Sequence, residues 1–528
     1  MTLNLASIPV KAAVNYPEAP AILMGENIIS YESLKQQIEC CAAVLQRHGI
    51  SKGDHVALLL PNVPHFTVNY FAIHYLGAVV VPLNVLFVED ELKYHLDDSD
   101  AKAIVVWESF LDNALPAAKA TGCKKVFVCR SPDNNQTLPE SVIDQGNAMQ
   151  QRLQSDDFSS QQPVATNADD TAVILYTSGT TGQAKGAELT HFNIYDNARF
   201  VAECLMRTDD GVWPVFTRGD VALAALPLFH SFGQTVIQNA FLMHGAAITL
   251  LPRFTPQDAA NLIAAHEVTF FAGVPSMYIA LLNDPAVSSG QLQTLRCAVS
   301  GGAPLPEEVL KQFRERFGIE IQEGYGLSET SPVACFNMLI KGCRPGTVGP
   351  AIDLCEVKVV DEKRNEVPTG ERGEVVIKGT NVMKGYYKRP EDTAEVLHEG
   401  WFHTGDIGTL DEDGYVRIVD RKKEMIIRGG FNVYPREIEE MLYKHPDINE
   451  AAVIGIPDKT HGEEIVAILA LKEGVSLASD QLEKYCREHL AAYKVPRKSY
   501  VLDTLPKGPT GKILKRVLKE KYGGEQNH

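Results

Sequence analysis

Paired cysteines are missing from this sequence: ten Cys occur in 528 residues, yet none belongs to a Cys-x-x-Cys unit. Cys40 and Cys41 are adjacent, and Cys123 and Cys129 share no spacing with the rest. That scatter excludes a disulfide framework and a zinc pattern, and it favours a reducing, cytoplasmic location. Long apolar runs are also absent. The most apolar stretch, FAIHYLGAVVVPLNVLF (71–87), contains His74, Pro82 and Asn84, and falls short of the ~20 apolar residues of a membrane span. It reads as a buried helix running into a buried strand. No transmembrane segment is expected, although peripheral membrane contact is compatible with the sequence, as are a monomer and a homodimer. The N-terminus has no basic region followed by a continuous apolar stretch, so no signal peptide is expected. Positive charge is in deficit, with 50 Lys and Arg against 67 Asp and Glu and a net charge of -17. A nucleic-acid surface needs dense Lys and Arg, so nucleic acid is excluded as a partner. A local basic pocket for an anionic ligand is not.

What is present is a globular composition, 45% hydrophobic and 22% charged, on a chain long enough for at least two domains. From residue 30, helical patterns (SYESLKQQIECCAAVLQRHG, HFTVNYFAIHYLG) alternate with short apolar runs (HVALLL, VVVPLN), and Gly49 and Gly77 fall where helix C-caps are expected. Further strand-like runs are AKAIVVW (101–107), VFVC (126–129), AVILYT (172–177), AAITLLP (246–252) and VTFFAGVP (268–275). Alternation of this kind predicts an α/β fold with largely parallel sheets. The polar stretch 131–169 reads as a long surface connection. From about residue 345 the texture changes: CEVKVVDEKRNEVPTGERGEVVIKG alternates with period 2 around a polar turn, which predicts a hairpin or small barrel. Beyond GYVRIVDRKKEMIIRGG the pattern is helix (435–445), strand (450–456), strand (464–471), helix (478–490) and strand (498–503), a compact α+β module. The expected division is a large domain over 1–419 with a barrel-like subdomain, a linker over 420–425, and a small mobile domain over 426–528.

The stretch YTSGTTGQAKG (176–186) spends glycines, hydroxyls and one lysine on consecutive positions that would make a poor core. A strand before it and a helix beginning near THFNIYDNARF predict strand–loop–helix. Glycines let successive N–H groups converge on an anion, hydroxyls add donors, and Lys185 adds charge. A flexible surface loop is the blander reading. The Walker pattern G-x-x-x-x-G-K-[ST] fails, because the sixth position from Gly179 is Ala184 and Lys185 is followed by Gly186.

The loop resembles instead the phosphate loop of the adenylate-forming superfamily, in its acyl-CoA synthetase branch. LPLFHSFG (226–233), SGGAPL (300–305), EGYGLSET (323–330), WFHTGDIG (401–408), DRKKEMIIRGG (420–430) and PKGPTGKILKR (506–516) are similar to motifs of the same family, in the same order. Bacterial medium- and long-chain fatty acid–CoA ligases are the most similar members, also through FAGVPSMY and NVMKGYY.

The resemblance implies a carboxylate attacking the α-phosphorus of ATP to give an acyl-adenylate and pyrophosphate, with Mg²⁺ assisting, then displacement of AMP by the thiol of coenzyme A. It places Ser178, Gly179, Thr180, Thr181, Gly182 and Lys185 on the β- and γ-phosphates, and Thr177 and Glu329 on the metal. Gly301, Gly302, Ala303 and Pro304 would line the adenine. In the next motif Glu323, Gly324 and Gly326 would flank Tyr325, whose ring would stack on the base, and Ser328 would bond the α-phosphate. Asp406 and Arg421 would hold the ribose. His230 would orient the acid, and Lys512 would bridge the carboxylate and the α-phosphate. Phe232, Val299, Val333 and again Gly326 would wall an acyl tunnel. Lys423 would be the hinge of a domain swing that presents Gly429 and Gly430 to the pantetheine tunnel. Without the flanking motifs, Glu329 reads as a solvated loop carboxylate, His230 as a core histidine and Lys512 as part of a basic helix face.

Two departures narrow the substrate. Phe229–Gly233 offers no carboxylate for an amino acid's ammonium group, which favours a plain carboxylic acid. No insertion lies between Tyr387 and Asp420, where fatty acyl-AMP ligases that load an acyl carrier protein typically carry one. An aryl or short-chain acid remains an alternative to a fatty acid. Ile427 stands where some relatives carry a second lysine, so that contact is unassigned here.

Overall fold

The computed structural model describes residues 2–131, 134, 137–154, 162–177, 183–205, 216–338, 341–458, 460–508 and 511–523. Two eight-stranded sheets carry the first two thirds of the chain. In one, Pro20–Met24, Ala247–Leu250, Val221–Ala224, Phe270–Gly273, Cys297–Ser300 and Ile321–Gly326 run parallel as neighbours. Antiparallel strands Asn27–Ser30 and Val333–Phe336 close its two edges. In the other, Thr171–Thr177, Val79–Pro82, His55–Leu59, Ala101–Trp107, Lys125–Cys129 and Ile143–Asp144 are parallel. Lys185–Thr190 and Gly385–Tyr386 add antiparallel strands beside Thr171–Thr177.

Parallel strands buried on both faces require apolar residues on both, which is why HVALL and VVVP are continuous apolar runs. The helix Pro64–Tyr75 is buried almost all round, and its Phe66, Tyr70 and Phe71 join the main core. Each such aromatic contributes on the order of 1.5–3 kcal/mol by leaving water.

The predicted hairpin is present: Cys355–Val360 pairs antiparallel with Gly373–Gly379 in a five-stranded sheet that includes Trp401–Leu410 and Val416–Arg421. Residues from Ile426 onward form a second five-stranded sheet with helices Pro435–Leu442, Ser479–His489 and Lys515–Gly523. Two hydrophobic clusters are built wholly from buried residues between Ile426 and Tyr522.

Two expectations need correction. Between the loop and the helix His191–Cys204 lies an antiparallel strand, so the order is strand–loop–strand–helix. The Gly-rich loop is the connection of a β-hairpin, and the helix starts where Thr190 and Asn193 cap it reciprocally. The polar stretch 131–169 is not all connection either, because Ile143–Asp144 extends the second sheet and Asp144 caps a helix at Gln145–Leu153.

Candidate functional site

A cavity of about 1010 Å³ lies at the C-terminal ends of parallel strands from both large sheets, with the small C-terminal unit along one side. Thr177 and Lys185, at the two ends of the Gly-rich loop, are register partners and both line it. Ser178, Gly179, Thr180, Thr181 and Gly182 lie outside the described residues.

Glu329 is buried. Its Oε1 accepts from Thr177 Oγ1 at 3.3 Å and from the Tyr386 hydroxyl at 3.0 Å. Burial pushes the Glu329 carboxyl up from its ordinary range, while those donors and the Arg421 charge partly oppose the shift. Lys185 is ion-paired with Asp392 and lies 5.6 Å from the centre of the Tyr386 ring. Neither Tyr386 nor Asp392 was expected from the sequence; only the similarity of NVMKGYY pointed near them.

Gly301, Gly302, Gly324, Tyr325, Gly326 and Ser328 line the same cavity. Gly326 has to be glycine, since a Cβ there would stand 1.7 Å from the Pro332 carbonyl oxygen. Ala303, Pro304 and Glu323 are not lining residues; Glu323 is buried beneath the wall. Asp406 is buried behind Tyr325, whose hydroxyl donates to Asp406 Oδ2 at 2.6 Å. Arg421, on the neighbouring strand, donates from Nε to Asp406 Oδ1 at 3.1 Å. The Tyr325 phenol is raised by burial first and by Asp406 second, so it acts as a donor only.

His230 precedes a π-helix over Phe232–Asn239. Its Nδ1 accepts from the Phe232 N–H at 3.3 Å, which leaves Nε2 as the protonated nitrogen of a neutral ring. Burial, reinforced by the Lys512 ammonium, pushes the imidazole pKa down to about 4. Phe232, Val299 and Val333 are among the cavity's apolar lining residues, as are Leu205, Val236 and Phe336. Asn197, on helix His191–Cys204, grips Val333 through both of its backbone groups, at 2.8 and 3.2 Å.

Lys512 reaches this cavity from the other end of the chain. Its side chain is exposed to the open cavity rather than packed in a core. Desolvation, then the Arg421 charge, lowers its amine pKa, against the pull of Glu424 and Asp406. The preceding Gly511 has φ +75°, its carbonyl accepts from Ser276 Oγ at 3.1 Å, and a Cβ would stand 2.6 Å from that oxygen. The glycine of the PTGK motif is therefore a contact between the two parts of the molecule. Lys423 lies in the turn joining them and lines the cavity. Gly429 and Gly430 do not line it: they form an exposed hairpin turn with φ +58° and +84°.

Among the described residues no three His, Cys, Asp or Glu side chains converge as a metal site, and no helix is long and apolar enough to cross a membrane.

The chain matches the model of the family described as AMP-binding enzyme over residues 10–387, and that of the AMP-binding enzyme C-terminal domain over 437–512. It is 35% identical to a long-chain-fatty-acid–CoA ligase of Bacillus subtilis (strain 168), covering 99% of this chain and 95% of the relative. It is 36% identical to a feruloyl-CoA synthase of Amycolatopsis sp, covering 98% of this chain and 99% of the relative. Among solved structures, ATP-bound MatB from Rhodopseudomonas palustris superposes with a TM-score of 0.88 at 32% identity, over 99% of this chain and all of the other. The apo form of MatB, 33% identical and covering 99% of both chains, superposes with a TM-score of 0.76. With both family models matched and relatives aligned over nearly its whole length, the chain belongs to the AMP-binding enzyme family and is an acid–thiol ligase.

Proposed function

We propose that this acid–thiol ligase converts a medium- or long-chain fatty acid to its coenzyme A thioester through an acyl-adenylate. The observation that supports the fatty-acid reading is that Phe232, Val236, Val299, Val333 and Phe336 line the same cavity as His230 and Lys512; these apolar walls are the proposed acyl lobe. An alkyl chain gains about 0.8 kcal/mol for each methylene it buries in such a lobe.

The acid's carboxylate would lie between His230 Nε2–H and Lys512, the two donors at the junction of the lobe and the nucleotide site. Lys512 would also hold the α-phosphate, and charge placed where negative charge accumulates is the main lever on such a displacement. Asp406 and Arg421 would hold the ribose and Tyr325 would cover the base. Lys185 and the loop residues would hold the departing pyrophosphate. A hard divalent cation fits here: the Glu329 carboxyl, raised by burial, and the Thr177 hydroxyl are oxygen ligands. Bound there as Mg²⁺, it would neutralise polyphosphate charge.

The arrangement with Lys512 in the cavity suits the first step, and the better superposition on ATP-bound MatB supports that assignment. Thioester formation would follow rotation about Lys423, within the proposed linker 420–425, which would carry Lys512 out and bring Gly429 and Gly430 in.

Purified enzyme supplied with ATP, Mg²⁺ and CoA should release AMP with decanoate or palmitate. Absence of AMP with both acids rejects the substrate reading. An aryl acid is the second reading, favoured by the feruloyl relative and by the buried Ser231 hydroxyl, which has no hydrogen-bond partner among the described residues and belongs to a residue lining the cavity. AMP release with ferulate or benzoate alone would establish it.

A further inference from the structure

Lys185 has a protein partner of its own. Its ammonium pairs with Asp392, and the two side chains are only 14% and 28% exposed. A pair this shielded is worth more than an open surface ion pair. Topology builds the contact in. Gly385–Tyr386 lies along the edge of the strand that Lys185 begins, through Lys384 N to Glu188 O at 2.9 Å and Tyr387 N to Gly186 O at 2.8 Å. The helix Pro390–Val396 follows at once, and its Thr393 hydroxyl accepts from Tyr386 N at 2.9 Å. Asp392 is thereby fixed within reach of the lysine.

Two carboxylates thus attend the two residues that close the Gly-rich loop, Glu329 at Thr177 and Asp392 at Lys185. Glu329 suits a cation. Asp392 has no such part, and a carboxylate beside the lysine assigned to a polyphosphate competes with that polyphosphate for the same charge.

We propose that Asp392 is an exchange partner for Lys185. It neutralises the ammonium while the β- and γ-phosphate positions are empty, yields it to ATP, and takes it back as pyrophosphate leaves. Asp392 therefore weakens the binding of both polyphosphates and hastens release of the product. The inference rests on the reading of Lys185 as a phosphate-holding group.

Titration calorimetry of the full chain with Mg²⁺ can use three probes: the non-hydrolysable ATP analogue AMPCPP, inorganic pyrophosphate, and AMP. Asp392→Asn should tighten AMPCPP and pyrophosphate binding about threefold to tenfold, the range of a partly shielded ion pair. AMP, which lacks the outer phosphates, should bind unchanged. The gain should disappear when Asp392→Asn is introduced on a Lys185→Ala background. Unchanged or weaker polyphosphate binding in Asp392→Asn overturns the exchange role, and weaker binding would mean that the carboxylate aims the lysine. If Lys185→Ala weakens AMPCPP and pyrophosphate while Asp392→Asn does nothing, the phosphate reading stands and only the exchange falls. If Lys185→Ala changes nothing, the phosphate reading itself falls. Should Asp392→Asn not fold, Asp392→Ala carries the same expectations.

Discussion

At His230, one backbone hydrogen bond decides what the ring can offer. With Nδ1 accepting from Phe232 N–H, only Nε2 carries a proton, and a pKa pushed down to about 4 keeps the ring neutral above that value. A histidine pKa depressed in the folded state has a definite linkage sign. The unfolded chain takes up a proton near pH 6.5 and the folded chain does not until about 4, so this contribution to stability is complete above 6.5 and falls away below it. In the proposed adenylation step His230 would thus be a neutral donor, with no charge to change between pH 5 and 8. His230→Ala should lower the adenylation rate about tenfold to a thousandfold, as loss of one placed donor does. His230→Gln, which keeps an N–H near the Nε2 position, should lose less, and neither should change the shape of the rate's pH profile over that range. Disappearance of a limb near pH 6 in the variants would show that the ring titrates. The motif around His230 was legible in the sequence. Its tautomer was not, because the donor that fixes it depends on how the chain bends into the π-helix.

The elements repeat this division between local and distant information. AKAIVVW reads as a strand at 101–107 and is one: Ile104, Val105 and Val106 are β-branched and buried, which suits a strand of a sheet covered on both faces. The strand Lys185–Thr190 has no counterpart in the sequence pattern, because glycine and lysine beside a polar loop carry no strand signal; pairing with Thr171–Thr177 supplies it. The terminal run KILKRVLKEK could pass for a solvated helix face, but Lys515 within it is shielded, 3.2 Å from Glu424 and 2.8 Å from Glu439, with Asp420 nearby. Those carboxylates raise its amine pKa against burial and keep it charged. Lys515 therefore ties the segment bearing Lys512 to the turn after Lys423. Lys515→Met leaves the acids without their cation, which is far more disruptive than losing a surface pair. It should cut adenylation about tenfold to a hundredfold, while thioester formation from supplied acyl-adenylate, in which Lys512 has no proposed part, falls much less. Parallel loss in both half-reactions would make Lys515 a stability residue only.

For the whole molecule, the sequence carries no sign of the seam along which the residues from Ile426 onward meet the rest of the chain. That seam is rich in carboxylates. Asp420, at the end of the last strand of the large part, accepts from Arg436 N at 3.0 Å at the start of helix Pro435–Leu442. Glu440 on that helix accepts from Glu307 N at 3.4 Å, and Glu323 lies buried behind them. Burial pushes Glu323 up to about 7, with Arg436 opposing and Glu440 and Glu307 adding to it. Burial likewise pushes Asp420 up to about 6, with Lys515 and the Arg436 N–H opposing and Glu439 adding. Both shifts are upward, so both groups bind protons more tightly in this arrangement than they would in water. Their contribution to it is whole below the ordinary carboxylate range of about 4 and is lost as pH rises through 6 and 7. The form with Lys512 in the cavity should therefore give ground to other orientations of the small part between pH 5 and 8. Energy transfer between dyes at the exposed positions Glu315 and Lys472 would follow it. The wild type should show a pH-dependent shift in its populations, which Glu323→Gln with Asp420→Asn should largely flatten. Populations that do not move with pH in the wild type would show that both groups keep their environment when the parts rearrange, and the seam would then not sense pH.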